Sequence, residues 1–198
     1  MSLQFQLPDL EDASGNAVAC TETINTHFGS YVVVPEYGIV LNNETDDFTS
    51  QPGKPNAFGL IQSEANKIQP GKKPLSSMSP TILVKNGKAV YVAGASGGPK
   101  IISSTLQVIL WMVLHQKSPE EAVGKPRLHH QWLPNQLFLE VSLYEKIAVL
   151  FKQKGHQVQK TSSIAAVQAV SRTTENKSGQ VQLSGASDPR KGGSPAGY

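Results

Sequence analysis

The 198-residue chain has a single cysteine, Cys20, and no apolar run long enough to cross a bilayer. One cysteine cannot form a disulfide within the chain, so cysteine usage does not indicate a redox compartment. The longest apolar stretch, residues 108–114, is far shorter than the roughly 20 residues of a transmembrane helix. Residues 1–15 lack the basic segment and apolar core of a signal peptide, so we predict no export signal in this chain and leave the compartment open.

The chain also lacks a concentration of charge of one sign. Its net charge of +3 comes from 18 basic and 15 acidic residues that are scattered along the sequence. Nucleic acids and anionic membranes attract proteins through focused positive patches, so we expect neither as a partner. With 38% hydrophobic residues the chain can bury one substantial core, which favours a single domain.

A β-hairpin is the clearest local prediction. Residues Thr81–Val84 and Ala89–Val92 have strand composition, and Asn86-Gly87 between them is a preferred two-residue turn. Two small polar clusters flank this hairpin, Ser76-Ser77 before it and Gly97-Gly98 after it. Because the two strands are antiparallel, both clusters are predicted at the same end of the ladder.

The remaining pattern predicts an α+β fold. From residue 42 to 78 neither helical nor strand periodicity is visible, and a loop of that length in a compact domain is more often functional than not. The order of strands, long loop, strands, helices and strands favours a mixed sheet with helices packed on it over alternating βαβ units. The tail from Gly185 shows no packing signal of its own. The other predicted strands are 17–24, 31–34, 39–41, two within 156–172, and Val181–Leu183 after a "TENKSGQ" turn.

Three helices are predicted after the hairpin. Ile101–His115 is apolar nearly all round in its second half, which favours a helix buried between layers. Ser118 and Glu121 form a capping box around Pro119, so a short helix is predicted to begin there. A second capping box predicts the start of an amphipathic helix that ends at Gly155; it is formed by Ser142 and Glu145.

The segment "GASGGPK", residues 94–100, has three interpretations. It leads into a helix, whose free N–H groups attract anions, but its glycine spacing fits neither a P-loop nor a dinucleotide site. A simple glycine turn is favoured on spacing alone. The third interpretation is an oxyanion hole, because Gly97 and Gly98 allow close approach of the backbone to a substrate.

The other candidate groups are individually weak. Adjacent His129 and His130 face different ways and have no third ligand at metal spacing, so they are interpreted as structural. The acidic pair Asp46-Asp47 fits either a cation site or a solvated loop. Ser76-Ser77 lacks the G-x-S-x-G context of a nucleophile and resembles a hydrogen-bonded turn. We therefore predict no metal site, and no motif calls for a cofactor.

Taken jointly and in order, these segments resemble the small subunit of γ-glutamyltranspeptidases, also called glutathione hydrolases. The resemblance extends over residues 15–198, while residues 1–14 do not match. It implies one half of an N-terminal-nucleophile hydrolase fold, an αββα sandwich completed by a large subunit. The matching motifs are "NAVACTETINTHFG", "GIVLNNETDDF", "KPLSSMSPTI", "GASGGPKII", "PRLHHQWLP" and "GASDPR".

The resemblance also implies a substrate and the residues that bind it. The substrate is a γ-glutamyl compound such as glutathione, cleaved or transferred without a metal or cofactor. By the resemblance, Glu44 and Asp47 hold its α-ammonium group, and Asn25 with the Ser76 and Ser77 hydroxyls contacts the glutamyl part or its α-carboxylate.

Three further residues receive catalytic roles from the resemblance. Gly97 and Gly98 supply oxyanion N–H groups, and Thr23 hydrogen-bonds the nucleophile, which in the family is an N-terminal threonine that uses its own amine as base. That threonine matches position 5 here, which is Phe5 within "FQLPD", so the nucleophile is absent.

The departure at Phe5 leaves three interpretations. The first is an enzyme region whose true start was lost from the reading frame, so that the chain is inactive alone. The second is a non-catalytic glutamyl-binding or interaction module. The third is a short chain that pairs with a separately encoded large subunit. We favour the first, because the pocket motifs are intact while the mismatch is confined to the N-terminus.

Overall fold

The computed structural model describes residues 4–5, 10–12, 14–174 and 180–196. The strands are β1 Gln4–Phe5, β2 Leu10–Glu11, β3 Ala17–Val18, β4 Glu22–Thr23, β5 Val33–Val34, β6 Ile39–Val40, β7 Thr81–Lys85, β8 Lys88–Ser96, β9 Leu128–His129, β10 Leu137–Glu140, β11 Val158–Thr161, β12 Ala166–Thr174 and β13 Val181–Ala186. The main body is an antiparallel sheet of four strands in the order β13-β12-β8-β7. A second sheet of three strands has the order β11-β10-β9, and three two-stranded ribbons pair β1 with β4, β2 with β3, and β5 with β6.

The predicted hairpin is confirmed. Strands β7 and β8 pair antiparallel, and Asn86 and Gly87 both have positive φ, 53° and 76°, as a type I′ turn requires. Strand β8 continues past the hairpin to Ser96 and pairs with β12 on its other side. The chain segments before Thr81 and after β8 therefore leave the sheet at one end.

Three helices pack on the sheets: α1 Lys100–His115, α2 Pro119–Gly124 and α3 Val141–Gln153. Helices α1 and α2 contact the four-stranded sheet and each other. Buried residues such as Ala93, Ile101, Met112 and Val167 form the core between them. A second cluster, which includes Leu139 and Ala148, lies between α3 and the smaller sheet.

Helix α1 is less enclosed than its composition predicts. Its inner face is buried against the sheet, but Leu114 is 67% exposed on the opposite face. A helix on one side of a sheet has only one covered face. The apolar residues on the outer face of α1 therefore have no packing partner among the described residues. The exposed apolar stripe comprises Ile102, Leu106, Leu110, Val113 and Leu114.

The two predicted capping boxes have different outcomes. The capping box at Ser118 and Glu121 is present with both of its hydrogen bonds: the Glu121 N–H donates to Ser118 Oγ, and the Ser118 N–H donates to the Glu121 carboxylate. The one at Ser142 is not: α3 begins at Val141, directly after β10, and its N-cap is Glu140 without a side-chain cap. Strands β10 and β11 are parallel and joined by α3, while β9 is antiparallel to β10. The smaller sheet is therefore mixed, as the element order predicted, and contains a single βαβ unit.

Three other expectations need comment. The strand predicted over 17–24 is two short strands, β3 and β4, which pair with different partners. The first part of the tail is packed, because Ala186 and Asp188 are buried, whereas residues 192–196 are exposed. Part of the predicted "TENKSGQ" turn, residues 175–179, lies outside the described residues. Within the described ranges, no helix is both long and apolar enough to cross a membrane.

Candidate functional site

Seven of the eight residues to which the resemblance assigns a site role line one partly open cavity. They come from segments that are far apart in the chain and meet at the end of the β7–β8 hairpin. Gly97, the eighth, is adjacent to the lining residue Gly98 but is not part of the wall itself. The seven are Thr23, Asn25, Glu44, Asp47, Ser76, Ser77 and Gly98.

One wall is formed by the turn that follows β4. Asn25 is buried and has a left-handed backbone, φ 73°, which asparagine tolerates better than most residues. Its N–H donates to Thr23 Oγ1 at 2.8 Å, and its Nδ2 donates to the Asn43 carbonyl at 3.1 Å. These bonds fix the Thr23–Asn25 turn next to the acidic segment that follows Asn43.

The acidic wall is a 3₁₀ turn, Glu44–Asp47. Residues 44 and 47 are one turn apart, so both carboxylates reach the cavity. The Asp47 carbonyl accepts a hydrogen bond from Asn66 Nδ2 at 2.7 Å, which ties the turn to the long loop. Asp46 does not line the cavity; its Oδ2 accepts from the Ala57 N–H at 3.1 Å.

The two carboxyl groups share a crowded environment. Burial, the charge of Asp47 and a hydrogen bond with it raise the pKa of Glu44 to about 7. Burial also raises the pKa of Asp47, partly offset by its hydrogen bond to Glu44. Glu44 Oε1 is shielded from solvent and has no hydrogen-bond partner among the described residues. A cationic ligand would offset the repulsion between the two carboxylates and could donate a hydrogen bond to Glu44 Oε1. This wall therefore suits an ammonium group.

A second wall of the cavity carries hydroxyl groups. Ser76 Oγ accepts a hydrogen bond from the Met78 N–H at 3.2 Å, and the Ser77 carbonyl accepts one from Ser79 Oγ at 3.2 Å. The serine pair therefore forms the hydrogen-bonded turn that the sequence suggested and also borders the cavity. Hydroxyl groups at this position can donate to a carboxylate.

The glycine turn lies between β8 and α1. Gly97 and Gly98 have φ of 147° and 59°, conformations that side chains disfavour. A Cβ on Gly98 would lie 3.0 Å from two ring carbons of Phe58, so any other residue there would require the Phe58 ring to shift by a few tenths of an ångström. The Gly98 carbonyl accepts from the Ile101 N–H at 3.0 Å, which starts the helix.

Sequence reasoning missed four residues of the wall: Phe58, Met78, Pro99 and Ile101. Phe58 belongs to the long aperiodic loop, so the loop itself was the available signal. The other three are neighbours of predicted residues and have no distinctive chemistry.

The two adjacent histidines face different ways, His129 into the interior and His130 toward solvent. His129 is buried, with Nδ1 2.8 Å from Ser103 Oγ and Nε2 2.9 Å from Gln131 Oε1, and burial lowers its pKa. Across the described part of the chain, no group of three or more His, Cys, Asp or Glu side chains is placed to hold a metal ion.

The backbone at position 5 lies next to the strand that carries Thr23 of this site. Strand β1 pairs antiparallel with β4, so Phe5 is opposite Glu22 and Gln4 is opposite Thr23. The residue at position 5 is therefore held one strand away from a residue that lines the cavity.

Comparison with known proteins points to one family. The Gamma-glutamyltranspeptidase family model matches residues 9–198. The glutathione hydrolase proenzyme of Escherichia coli is 43% identical over 179 residues, which is 90% of this chain and 30% of that protein. The chain thus spans about a third of the length of the curated relatives it matches. The match begins at residue 9, and our division between residues 14 and 15 stays a prediction.

Solved structures agree in fold. A Helicobacter pylori γ-glutamyltranspeptidase T380A mutant superposes with a TM-score of 0.89 at 39% identity, covering 94% of this chain and all of that one, 100%. The Pseudomonas nitroreducens γ-glutamyltranspeptidase complexed with L-DON gives 0.87 at 38% identity, with 98% and 100% coverage. The described helices and sheets therefore form part of an N-terminal-nucleophile hydrolase fold, as the sequence predicted.

Proposed function

The chain belongs to the γ-glutamyltranspeptidase family, and on that premise we propose that it forms the γ-glutamyl-binding and oxyanion part of an enzyme that hydrolyses or transfers γ-glutamyl groups. One observation supports this most: residues from separate segments, chosen for complementary roles, line a single cavity. Glutathione is the substrate we favour, since the relatives are named as glutathione hydrolases.

The proposed pose follows from the charges of the two walls. Glu44 and Asp47 bind the α-ammonium group, and the Ser76 and Ser77 hydroxyls donate to the α-carboxylate. Asn25, fixed by its own hydrogen bonds, contacts the glutamyl chain between them. An amino-acid head group has both charges on one carbon, so the two walls of one small cavity suit it.

The proposed catalytic residues contact the γ-carbonyl end of the ligand. Gly97 and Gly98 stabilise the oxyanion of the tetrahedral intermediate through their N–H groups, and losing one such donor typically slows an enzyme by about 10²–10³. Thr23 hydrogen-bonds the attacking hydroxyl. Position 5 is phenylalanine, which has no nucleophile, so we expect no turnover by residues 1–198 alone.

Replacing Asp47 by alanine tests the binding site directly. A charge-assisted hydrogen bond contributes roughly 1.5–3 kcal/mol, so the variant should bind L-glutamate about 10–100-fold more weakly, measured by calorimetry. Glu36→Ala is the matched control, because it removes one exposed carboxylate that does not line the cavity. Equal affinity of Asp47→Ala and the unmodified chain would refute the proposed site.

Binding should also depend on pH through Glu44. Its pKa of about 7 leaves it largely protonated at pH 6, and an ammonium ligand must displace that proton. Affinity for L-glutamate should therefore rise about five- to tenfold between pH 6 and 7.5, with proton uptake by the buffer at pH 6. Glu44→Gln should bind more weakly and lose most of this slope. A slope unchanged in that variant would assign the pH dependence to another group.

A second candidate function is a non-catalytic γ-glutamyl-binding module. Phe5 at the position of the family's nucleophile favours it. The two functions differ when the missing parts are supplied: an enzyme part turns over a γ-glutamyl anilide once it is joined to a threonine nucleophile and a large subunit. A binding module remains inactive in that assembly while it still binds glutamate.

We also propose a large subunit as partner. The curated relatives are proenzymes about three times as long as the matched region. Apolar surface is exposed here on α1 and on the β5–β6 hairpin, where Tyr31 is 76% and Tyr37 is 78% exposed. Exposed apolar area of this kind marks interaction surfaces, and the large subunit is the partner that the family supplies.

A further inference from the structure

Four charged side chains form a buried network beside the sheet: Arg127, Glu140, Asp188 and Arg190. Arg127 Nη2 lies 2.6 Å from Asp188 Oδ2, and Arg190 contacts both acids, at 3.0 Å from Asp188 Oδ1 and 2.5 Å from Glu140 Oε2. Arg127, Glu140 and Asp188 are at most 5% exposed. None of the four lines the cavity, so the proposed binding roles do not explain them.

The network binds the backbone at two places. Arg127 and Arg190 donate to the Val123 carbonyl, and Arg190 also donates to the Lys125 carbonyl, at the end of α2. The second place is residues 164–167. The Ile164 N–H donates to Glu140 Oε1 at 2.7 Å, and the Val167 N–H donates to Asp188 Oδ2 at 2.7 Å. Arg127 Nη1 donates to the Ile164 carbonyl at 3.2 Å and to the Ala165 carbonyl at 3.4 Å. The charged groups thus fix successive peptide groups of this segment.

Ala165 of this segment packs closely against Gly97 in the glycine turn. A Cβ on Gly97 would lie 2.7 Å from Ala165 Cβ and 2.8 Å from its Cα. Ala165 has φ 55°, a left-handed conformation that costs an alanine free energy and persists only where surrounding contacts impose it. The hydrogen bonds from the network on either side of Ala165 are those contacts.

We propose that this network positions the Gly97–Gly98 turn by holding Ala165 in place against Gly97. The catalytic role of that turn rests on the proposed function. The four charged residues and Ala165 are positioning residues, since none of them lines the cavity and Ala165 lies against Gly97. A second connection runs in parallel, because Lys191 Nζ donates to Ser96 Oγ at 3.2 Å, one residue before the turn.

A network with a purely structural role would support β12 and the tail without affecting the glycine turn. Ala165→Gly separates the two roles. Glycine is relaxed at φ 55°, so the substitution should preserve or raise stability. It also removes the methyl group that packs against Gly97 while leaving every charged partner in place.

The test compares amide hydrogen exchange in the full 198-residue chain. In Ala165→Gly, amides of residues 94–98 should exchange about tenfold faster than in the unmodified chain, which corresponds to about 1.4 kcal/mol of local opening. Glu140→Gln should accelerate the same amides and also those of residues 164–167. The control is Gln116→Gly, which relieves a similar φ, 51°, at the end of α1 and should leave residues 94–98 unchanged.

A ligand pair adds a functional readout. L-Glutamate and its γ-phosphonate analogue share the head group, but only the phosphonate is a tetrahedral anion at the reacting position, so the oxyanion turn should favour it. Ala165→Gly should reduce that preference about tenfold and leave the affinity for glutamate unchanged. Unaltered exchange at residues 94–98 in both Ala165→Gly and Glu140→Gln would overturn the positioning role. Failure of the unmodified chain to bind either ligand would instead count against the proposed function, and exchange would still decide the positioning role.

Discussion

Replacing Asp188 by asparagine is expected to lower the free energy of unfolding by about 3–5 kcal/mol. The side chain is fully buried and accepts hydrogen bonds from Arg127, Arg190 and the Val167 N–H. Asparagine preserves the shape but removes the charge, so two buried guanidinium groups would share a single carboxylate, that of Glu140. Urea-induced unfolding measures the change, and it is a large share of the roughly 5–15 kcal/mol typical of a domain.

The control for this variant is Glu145→Gln, at an exposed pair. Glu145 Oε1 lies 3.2 Å from Lys160 Nζ, and both side chains are largely in solvent. An exposed pair contributes at most about 1 kcal/mol, so the control should remain close to the unmodified chain. A loss of similar size in both variants would show that burial of Asp188 carries no special stabilisation.

Asp188 also illustrates what sequence could not reveal. The tail from Gly185 is rich in glycine, serine and proline, and such composition predicts a segment without packing. Its fixed position comes instead from Asp188 and Arg190, whose partners Arg127 and Glu140 are about 50 or more residues away in sequence. Charge pairing over such separations has no periodicity, so only the folded chain reveals it.

Local signals were reliable where their partners are also local. The Asn86-Gly87 turn and the Ser118 capping box depend on residues within a few positions, and both are present. The same type of signal failed at Ser142, because β10 runs directly into α3 and places Glu140 at the N-cap. The Glu140 carboxylate then binds Arg190 and the Ile164 N–H rather than its own helix.

The site was more predictable than the packing around it. The acidic, hydroxyl and glycine clusters are weak signals one by one, and the resemblance of the ordered motifs to the γ-glutamyltranspeptidase small subunit is what assigned Asp47, Ser76 and Gly98 to one site. The structure places all three on one cavity. Phe58 and Ala165 could not be identified that way. Their importance lies in contact with Gly98 and Gly97, which depends on shape rather than on chemical type.

Replacing Gly97 by alanine is expected to lower the free energy of unfolding by about 2–6 kcal/mol. The left-handed backbone at φ 147° contributes about 1–3 kcal/mol of that loss. The overlap of the new Cβ with Ala165 contributes another 1–3 kcal/mol or so, because neighbouring backbone cannot move aside as a flexible side chain can. Equilibrium unfolding in urea measures the total.

Gly38→Ala separates the two causes. Gly38 also has positive φ, 64°, but a Cβ there would meet nothing within 4 Å, so only the backbone cost of about 1–2 kcal/mol applies. The difference between the variants is therefore the contact with Ala165 plus the extra backbone cost of φ 147° over φ 64°, up to about 1 kcal/mol. Combining Gly97→Ala with Ala165→Gly should recover part of the loss, since the second substitution removes the methyl group nearest the new Cβ. Additive effects of the two substitutions would mean that residues 97 and 165 do not interact in solution. The buried charged network could then not position the glycine turn through Ala165.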